Sequence, residues 1–284
     1  MTIYAISGAS GHLGRLAIEA LLAKGVAASD IVALVRTPSK VADMAEQGIQ
    51  VRRADYSQPD TLSSALEGVN ILLLISSSEV GQRALHHAAV IAAAKRANIR
   101  RIVYTSVLHA NTSELSLAPE HKASEEALVA SGVPYTILRN GWYIENYTAQ
   151  MEQYLQRGAI VHATHGGKIS FATRSDYAEA AAVVMTTDGH INSIYELGGT
   201  AFTVSELADA ISEVTGTKVV SQDVDLATFR TILQSAGLDE TTAGFVASFD
   251  EAMSRGDLYT TSDDLIRLIE RPSTPLHVAM RESM

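Results

Sequence analysis

Residues 3–14 read Ile3-Tyr4-Ala5-Ile6-Ser7-Gly8-Ala9-Ser10-Gly11-His12-Leu13-Gly14. An apolar run, a glycine-rich turn and the start of an amphipathic stretch ending near Lys24 follow one another without a gap. That order predicts strand, turn and helix, the arrangement that cradles a dinucleotide pyrophosphate. Gly8 suits the tight turn, Gly11 lets backbone approach a phosphate, and Gly14 lets the helix pack close to the sheet. Free N–H groups at the helix start, with the positive end of its dipole, would face the anion. The spacing is G-x-x-G-x-x-G rather than G-x-G-x-x-G. A purely structural glycine turn is the bland alternative.

Outward from this turn, apolar runs alternate with helical patterns. Strands are expected at 3–6, 31–35, 50–54, 71–75, 101–104 and 135–138, and helices at 12–24, 39–46, 61–66, 82–97 and 119–130. Leu72-Leu73-Leu74-Ile75 is a continuous apolar run, as a strand buried on both faces requires. The alternation predicts an α/β fold, a Rossmann-type doubly wound parallel sheet. Residues 1–140 are expected to form the nucleotide-binding core. Residues 141–284 are expected to complete the sheet and to form a smaller substrate-side lobe. There, helices are expected at 142–156, 175–186 and 205–214, and short strands at 159–162, 193–197 and 218–222. Thr203-Val204-Ser205-Glu206 has the spacing of a helix capping box.

The chain has 284 residues, a formal charge of −10 and no cysteine. The negative charge argues against a generic nucleic-acid or anionic-membrane surface. Without cysteine there are no disulfides, thiolate nucleophiles or cysteine metal sites. No run of about 18 apolar residues and no basic-then-apolar leader is evident. A cytoplasmic protein is expected, with no nucleic-acid or membrane partner. His86 and His87 are adjacent on a helix and cannot face one another, and His109, His162 and His165 lack ligand spacing, so no metal is expected.

Arg36 closes the second strand, 22 positions after Gly14, where an acid usually holds the ribose hydroxyls of NAD. Arg36 and Lys40 instead suit the 2′-phosphate of NADP through charge-assisted hydrogen bonds. NADPH is therefore preferred, with NADH possible; a solvated surface pair is the alternative. Asp55 and Tyr56 follow the third strand, where an adenine edge could be read, although a plain turn explains them too. Ser76, Ser77, Ser78 and Glu79 follow the fourth strand, and Tyr104-Thr105-Ser106 ends the fifth, all positions that line such a crevice.

Ketone reduction in short-chain dehydrogenases uses a Tyr-x-x-x-Lys pair, and none of the ten tyrosines has lysine four residues on. In the helix where the pair belongs, His121 and Glu125 fall in place of tyrosine and lysine. Hydride delivery to a ketone makes an alkoxide, whose conjugate acid has a pKa of about 16 by analogy with water. Delivery to a quinone makes a phenolate, whose conjugate acid has a pKa of about 10. The missing pair therefore suits a stabilised acceptor. Epimerase and dehydratase chemistry is disfavoured for the same reason. His121 could donate a proton or could simply pack.

Gly8–Gly14, Arg36, Ala54-Asp55-Tyr56, Leu72–Ser78, Tyr104-Thr105-Ser106 and Leu138–Tyr143 together resemble the NmrA-like atypical short-chain dehydrogenases. Ile75–Arg83 and Asn140–Tyr147 resemble its bacterial quinone-reducing branch most, with the triphenylmethane-dye reductases a second close pattern. The resemblance implies NADPH along Gly8, Ala9, Ser10, Gly11, His12 and Leu13, at Arg36, near Ser78, Glu79 and Val80, and along Asn140–Glu145. It also implies a wall from Ala172, Thr173 and Arg174 onward.

Independently of the resemblance, Trp142 and Tyr143 offer flat faces to an aromatic acceptor, and Asn140 offers an amide donor to a developing oxyanion. Trp142 as a core anchor and Arg139 as a buried ion-pair partner are the alternatives. The leading expectation is hydride transfer from NADPH directly to a quinone, without flavin. Asn140 would steady the oxygen, Tyr143 or Tyr104 would hydrogen-bond it, and solvent or His121 would finish protonation. A redox-sensing regulator and a dye reductase are the alternative functions, and a homodimer is a possible assembly.

Overall fold

Short apolar runs rich in Ile, Val and Leu form the parallel strands, and amphipathic stretches between them return the chain across either face. The computed structural model describes residues 1–282, so the last two positions of the expected 141–284 lobe lie outside the described residues. Strands β1 (Tyr4–Ser7), β2 (Ile31–Val35), β3 (Gln50–Arg53), β4 (Ile71–Leu74), β5 (Arg101–Val107) and β6 (Tyr135–Asn140) follow the expected order. Between them lie α1 (His12–Ala23), α2 (Ala42–Glu46), α3 (Pro59–Ala65), α4 (Arg83–Arg96) and α5 (Ala118–Ser131).

Beyond β6 come β7 (Trp142–Tyr143), α6 (Glu145–Thr148), α7 (Met151–Arg157), β8 (Ala159–His162), β9 (Ile169–Ala172) and α8 (Arg174–Thr186). The chain continues through β10 (Ser193–Leu197), β11 (Thr200–Phe202), α9 (Val204–Thr215), β12 (Val220–Asp223), α10 (Leu226–Ser235) and α11 (Glu240–Arg255). Helices α12 (Asp264–Ile269) and α13 (Leu276–Glu282) close it.

Seven parallel strands form the main sheet in the order β10-β6-β5-β4-β1-β2-β3. The chain runs outward from β1 to β3 and then returns to β4 beside β1, so the order reverses at that point. A ligand crevice opens at the carboxyl ends of strands around such a reversal. One face buries Ile6, Ala33, Val35, Leu73 and Val103 with Leu13, Ala17 and Leu21 of α1 and Tyr177, Ala181 and Met185 of α8. The other buries Val32, Leu34, Leu72, Leu74 and Tyr104 with Leu62 of α3, Val90 and Ala94 of α4 and Leu128 of α5.

Two expectations are corrected. The single helix over 142–156 is instead strand β7 followed by two short helices. A side chain at Gly141 would meet the Ser170 carbonyl and the Tyr177 hydroxyl, so only glycine lets the backbone run this close to β9. Trp142 and Tyr143 then pair with Phe171 and Ala172 of β9, and helix can begin only beyond them. The helix over 39–46 is a tight turn, Pro38–Val41, running into α2. Strands β5 and β6 also extend past 104 and 138, because Ile102–Val107 pair with Tyr135–Asn140 along their whole length. Ser106, Arg139 and Asn140 therefore sit on rigid strand, not on loop.

The remaining strands form two small sheets, β11-β9-β7 and β12-β8. They carry a separate apolar core around Phe171, Phe202, Leu207, Ile211 and Met253. Among the described residues no helix is long and apolar enough to cross a membrane.

Candidate active site

Gly8 adopts φ +60° and Gly11 N–H closes the turn onto the Gly8 carbonyl at 2.9 Å. A side chain at Gly14 would strike Gly8 and Ala9, so α1 can follow this closely only with glycine there. Helix α1 has no side-chain cap and no acidic residue in its first turn. Helices α8 and α9, in contrast, are closed by Thr173–Asp176 and Thr203–Glu206 capping boxes. The uncompensated positive end of α1 faces an open crevice of about 370 Å³. That crevice is lined by Gly8, Ser10 and Gly11, by Arg36, Thr37 and Lys40, by Asp55 and Tyr56, and by Ser76–Glu79 with His86. The glycine-turn backbone, two cations and the apolar Leu34, Ala54 and Ile75 fit a dinucleotide phosphate and its adenosine.

Each wall is fixed from behind. Arg15 bonds Asp43 at 2.6 Å and the Lys40 carbonyl at 2.9 Å, tying the Lys40 turn to α1. Asp55 accepts from the Ser57 hydroxyl at 2.7 Å and its N–H at 3.0 Å, which holds its carboxyl below the usual range. It therefore caps a turn and lines the crevice at once. The loop after β4 is pinned by Ser76 N–H on Thr105 Oγ1 at 2.9 Å and Ser77 N–H on His87 Nε2 at 3.0 Å. Desolvation first, then Arg83, pushes the His87 ring down to about 3, so it stays the neutral acceptor this bond needs. Arg83 Nε donates to the Ser77 carbonyl at 2.7 Å from the other side.

The expected nicotinamide-side residues gather farther along the sheet edge. Asn140 is buried; its amide nitrogen donates to the Tyr143 hydroxyl at 3.2 Å. Its Oδ1 has no hydrogen-bond partner among the described residues and only one of its two amide hydrogens is engaged, so the side chain offers both an acceptor and a donor. The Arg174 guanidinium lies 4.6 Å over the Tyr143 ring and pairs with Glu145 at 3.3 Å, while Arg174 N–H bonds the same carboxylate at 2.7 Å. Thr173 caps α8, and Ala172 is wholly enclosed with its carbonyl taking the Ile144 N–H. Ala9 and Leu13 likewise point into the core, whereas His12 is exposed beside the glycine turn. Val80 stands 52% exposed just past Glu79. Trp142 faces the other way, against Phe249 at 5.4 Å.

Tyr104 and His121 lie together but away from the crevice, 1% and 4% exposed, with the hydroxyl 2.8 Å from Nδ1. Desolvation lowers the His121 ring well below its ordinary value and raises the Tyr104 phenol. Glu125, at the lysine position, accepts from Ser106 at 2.6 Å and from Arg139 at 3.0 and 2.7 Å. Arg139 also reaches Glu196 at 2.8 Å and Asn111 at 2.8 Å, which makes it the buried ion-pair partner left open above. Glu196 and Asn111 carry no sequence signal for this role, because they join Arg139 from 57 and 28 positions away. Thr37 and His86 were also missed; His86 falls seven positions after Glu79 on a helix whose register the loop hides. Among the described residues no cluster of metal-ligating side chains occurs.

A family model described as NAD(P)H-binding matches residues 8–188. Quinone oxidoreductase 2 of Escherichia coli is 49% identical over 96% of this chain and 95% of its own. The crystal structure of the Escherichia coli NADPH-dependent quinone oxidoreductase complexed with NADPH superposes with a TM-score of 0.95 over 99% of both chains. The Citrobacter sp. triphenylmethane reductase complexed with NADP(H) is 38% identical, with a TM-score of 0.93 over 99% of this chain and 100% of that one.

Proposed function

The chain belongs to the NAD(P)H-binding family, and from that premise we propose that it is an NADPH-dependent quinone oxidoreductase. When bound, NADPH supplies the hydride, two electrons at once, and the quinone leaves as hydroquinone. The glycine turn and the free start of α1 hold the pyrophosphate. Arg36 and Lys40 hold the 2′-phosphate, preferring NADPH over NADH. Asn140, Tyr143 and Arg174 border the reacting end, where the buried Asn140 Oδ1 accepts a donor and the Arg174-backed Tyr143 ring gives a flat wall.

The observation that carries this reading is the Ser106–Glu125–Arg139 contact. Where ketone reduction needs a proton relay, this chain has a carboxylate locked to an arginine. His121 is enclosed against Tyr104 and does not line the crevice. A phenolate product needs no built-in acid, because water protonates it after transfer. The strong likeness to a quinone oxidoreductase supports the same acceptor class.

The test is NADPH oxidation with benzoquinone and no flavin added, run beside a simple ketone and a triphenylmethane dye. Quinone turnover without ketone turnover is expected. Quinone turnover no faster than buffer would overturn it.

A further inference from the structure

Helix α4 follows the loop Ser76–Glu79 that forms one wall of the crevice, yet it brings no cap of its own. Gln82 makes no side-chain cap and the first turn holds no acid. The N–H groups at a helix start need an acceptor from elsewhere. Glu120, 37 positions on in the first turn of α5, supplies it. Its Oε1 accepts the Arg83 N–H at 3.0 Å and the Gly81 N–H at 3.1 Å, while Oε2 pairs with Arg83 Nη1 at 3.3 Å. One carboxylate therefore serves the positive ends of two helices. Arg83 carries the hold forward, because its Nε reaches the Ser77 carbonyl.

A second line runs from the same loop to the same residue. Ser124 Oγ donates its single proton to the Glu120 carbonyl at 2.7 Å, so it meets His87 Nδ1, at 2.9 Å, as an acceptor. His87 therefore carries its proton on Nδ1 and leaves Nε2 to accept the Ser77 N–H at 3.0 Å. Both backbone groups of Ser77 are thus held by lines that end on Glu120, the carbonyl through Arg83 and the N–H through His87 and Ser124. Ser77, Ser78 and Glu79 line the crevice, whereas Arg83, His87, Glu120 and Ser124 do not.

We infer that Glu120 is a positioning residue for the coenzyme: it touches no ligand and, from α5, holds the Ser77–Glu79 wall in the shape that the coenzyme meets. This rests on reading the crevice as the coenzyme site. The loop's own backbone bonds are short-range, Val80 N–H on the Ser78 carbonyl and Gln82 N–H on the Glu79 carbonyl, both at 3.1 Å. They fix a turn and not its place against the sheet. Without the Glu120 carboxylate the wall samples other placements, and apparent affinity falls with the fraction of molecules that keep the competent one. The loss is the same for NADPH and NADH, since the protein meets it before either binds.

The test is calorimetric titration of the full chain with NADPH and with NADH, alongside amide hydrogen exchange. Glu120→Ala should weaken both coenzymes by the same factor, about tenfold where roughly a tenth of the molecules keep the wall in place. Glu120→Asp, one methylene too short to reach the two N–H groups, should do the same and serves if the alanine variant does not fold. Glu120→Gln, whose amide oxygen still accepts them, should keep most of the affinity. In the alanine variant the Gly81 and Arg83 amides should exchange faster while those of Leu72–Leu74 stay protected, which separates a loose wall from a loose fold. The inference fails if folded Glu120→Ala or Glu120→Asp binds both coenzymes as wild type does, if only NADPH weakens, or if Glu120→Gln loses as much as Glu120→Ala. Arg36→Ala tests the crevice itself. Unchanged NADPH binding in that variant overturns both readings, whereas NADPH binding weakened there and kept in Glu120→Ala overturns this one alone.

Discussion

Arg36 Nη1 stands 2.6 Å from Glu79 Oε1, so the end of β2 and the loop after β4 are joined across the mouth of the crevice. His86 Nδ1 approaches the other Glu79 oxygen at 3.5 Å. Both partners are substantially exposed, at 70% and 42%, and a pair in that setting contributes at most about 1 kcal/mol. On the proposed reading a doubly charged 2′-phosphate would displace the carboxylate. Until then the exposed Glu79 carboxylate holds the Arg36 guanidinium at the crevice mouth.

Arg36→Ala should raise the KM for NADPH about tenfold to a hundredfold, the loss expected of a charge-assisted hydrogen bond. The KM for NADH should change little, since it lacks the 2′-phosphate. Steady-state kinetics with both coenzymes checks this, and an equal loss for the two would remove Arg36 from the phosphate site.

Glu79→Gln should act in the opposite direction. Without the competing carboxylate, NADPH should bind several-fold more tightly at low salt, and the gain should shrink as salt screens the exposed charges. Calorimetric titration of NADPH at two ionic strengths measures both effects.

Glu125→Ala leaves Arg139 buried beside Glu196 alone. Removing one partner of a buried pair should destabilise the fold by about 3–5 kcal/mol, read by denaturant unfolding. The quinone-reduction rate per folded molecule should stay within a few-fold of wild type, because Glu125 passes no proton. Rate loss far beyond the loss of folded protein would give it a direct part in turnover.

His121→Gln should leave kcat with benzoquinone nearly unchanged. Desolvation keeps the His121 ring neutral through the working range, so the wild-type rate should show no His121 limb between about pH 6 and 8. A limb in that window that disappears in the variant would restore the proton-donor role.

Asp250 is buried and its carboxyl is raised from 3.8 to about 6. A raised folded-state pKa means that the contribution to stability is fully present below the unfolded value and is lost as pH rises through about 6. Asp250→Asn should therefore be more stable than wild type at pH 8 by as much as ~3 kcal/mol, from about two units at 1.36 kcal/mol each. The difference should close near pH 4. Melting curves across that range measure it, and a gap independent of pH would point to packing instead.

Most of the parallel sheet was legible because its signals are local. Leu72–Leu74 and Ile31–Val35 are strands buried on both faces, and their apolar runs say so directly. The glycine turn marked one end of the crevice, and Arg36 with Lys40 its cationic wall, since each residue's place follows from the end of its own strand. The stretch after Gly141 was not legible. Trp142 and Tyr143 look helical beside their neighbours, yet pairing with Phe171 and Ala172, about thirty positions on, makes them strand.

The sequence by itself determined the nucleotide fold, the glycine turn and the absence of a tyrosine–lysine pair, all patterns carried by residues within one turn or strand of each other. Tertiary structure alone decided which groups those residues meet. It set Glu125 on Arg139, enclosed His121 against Tyr104, and turned Trp142 away from Tyr143 onto Phe249. The physical reason is range: backbone geometry and side-chain periodicity act between near neighbours, whereas burial and ion pairing depend on where distant strands come to lie.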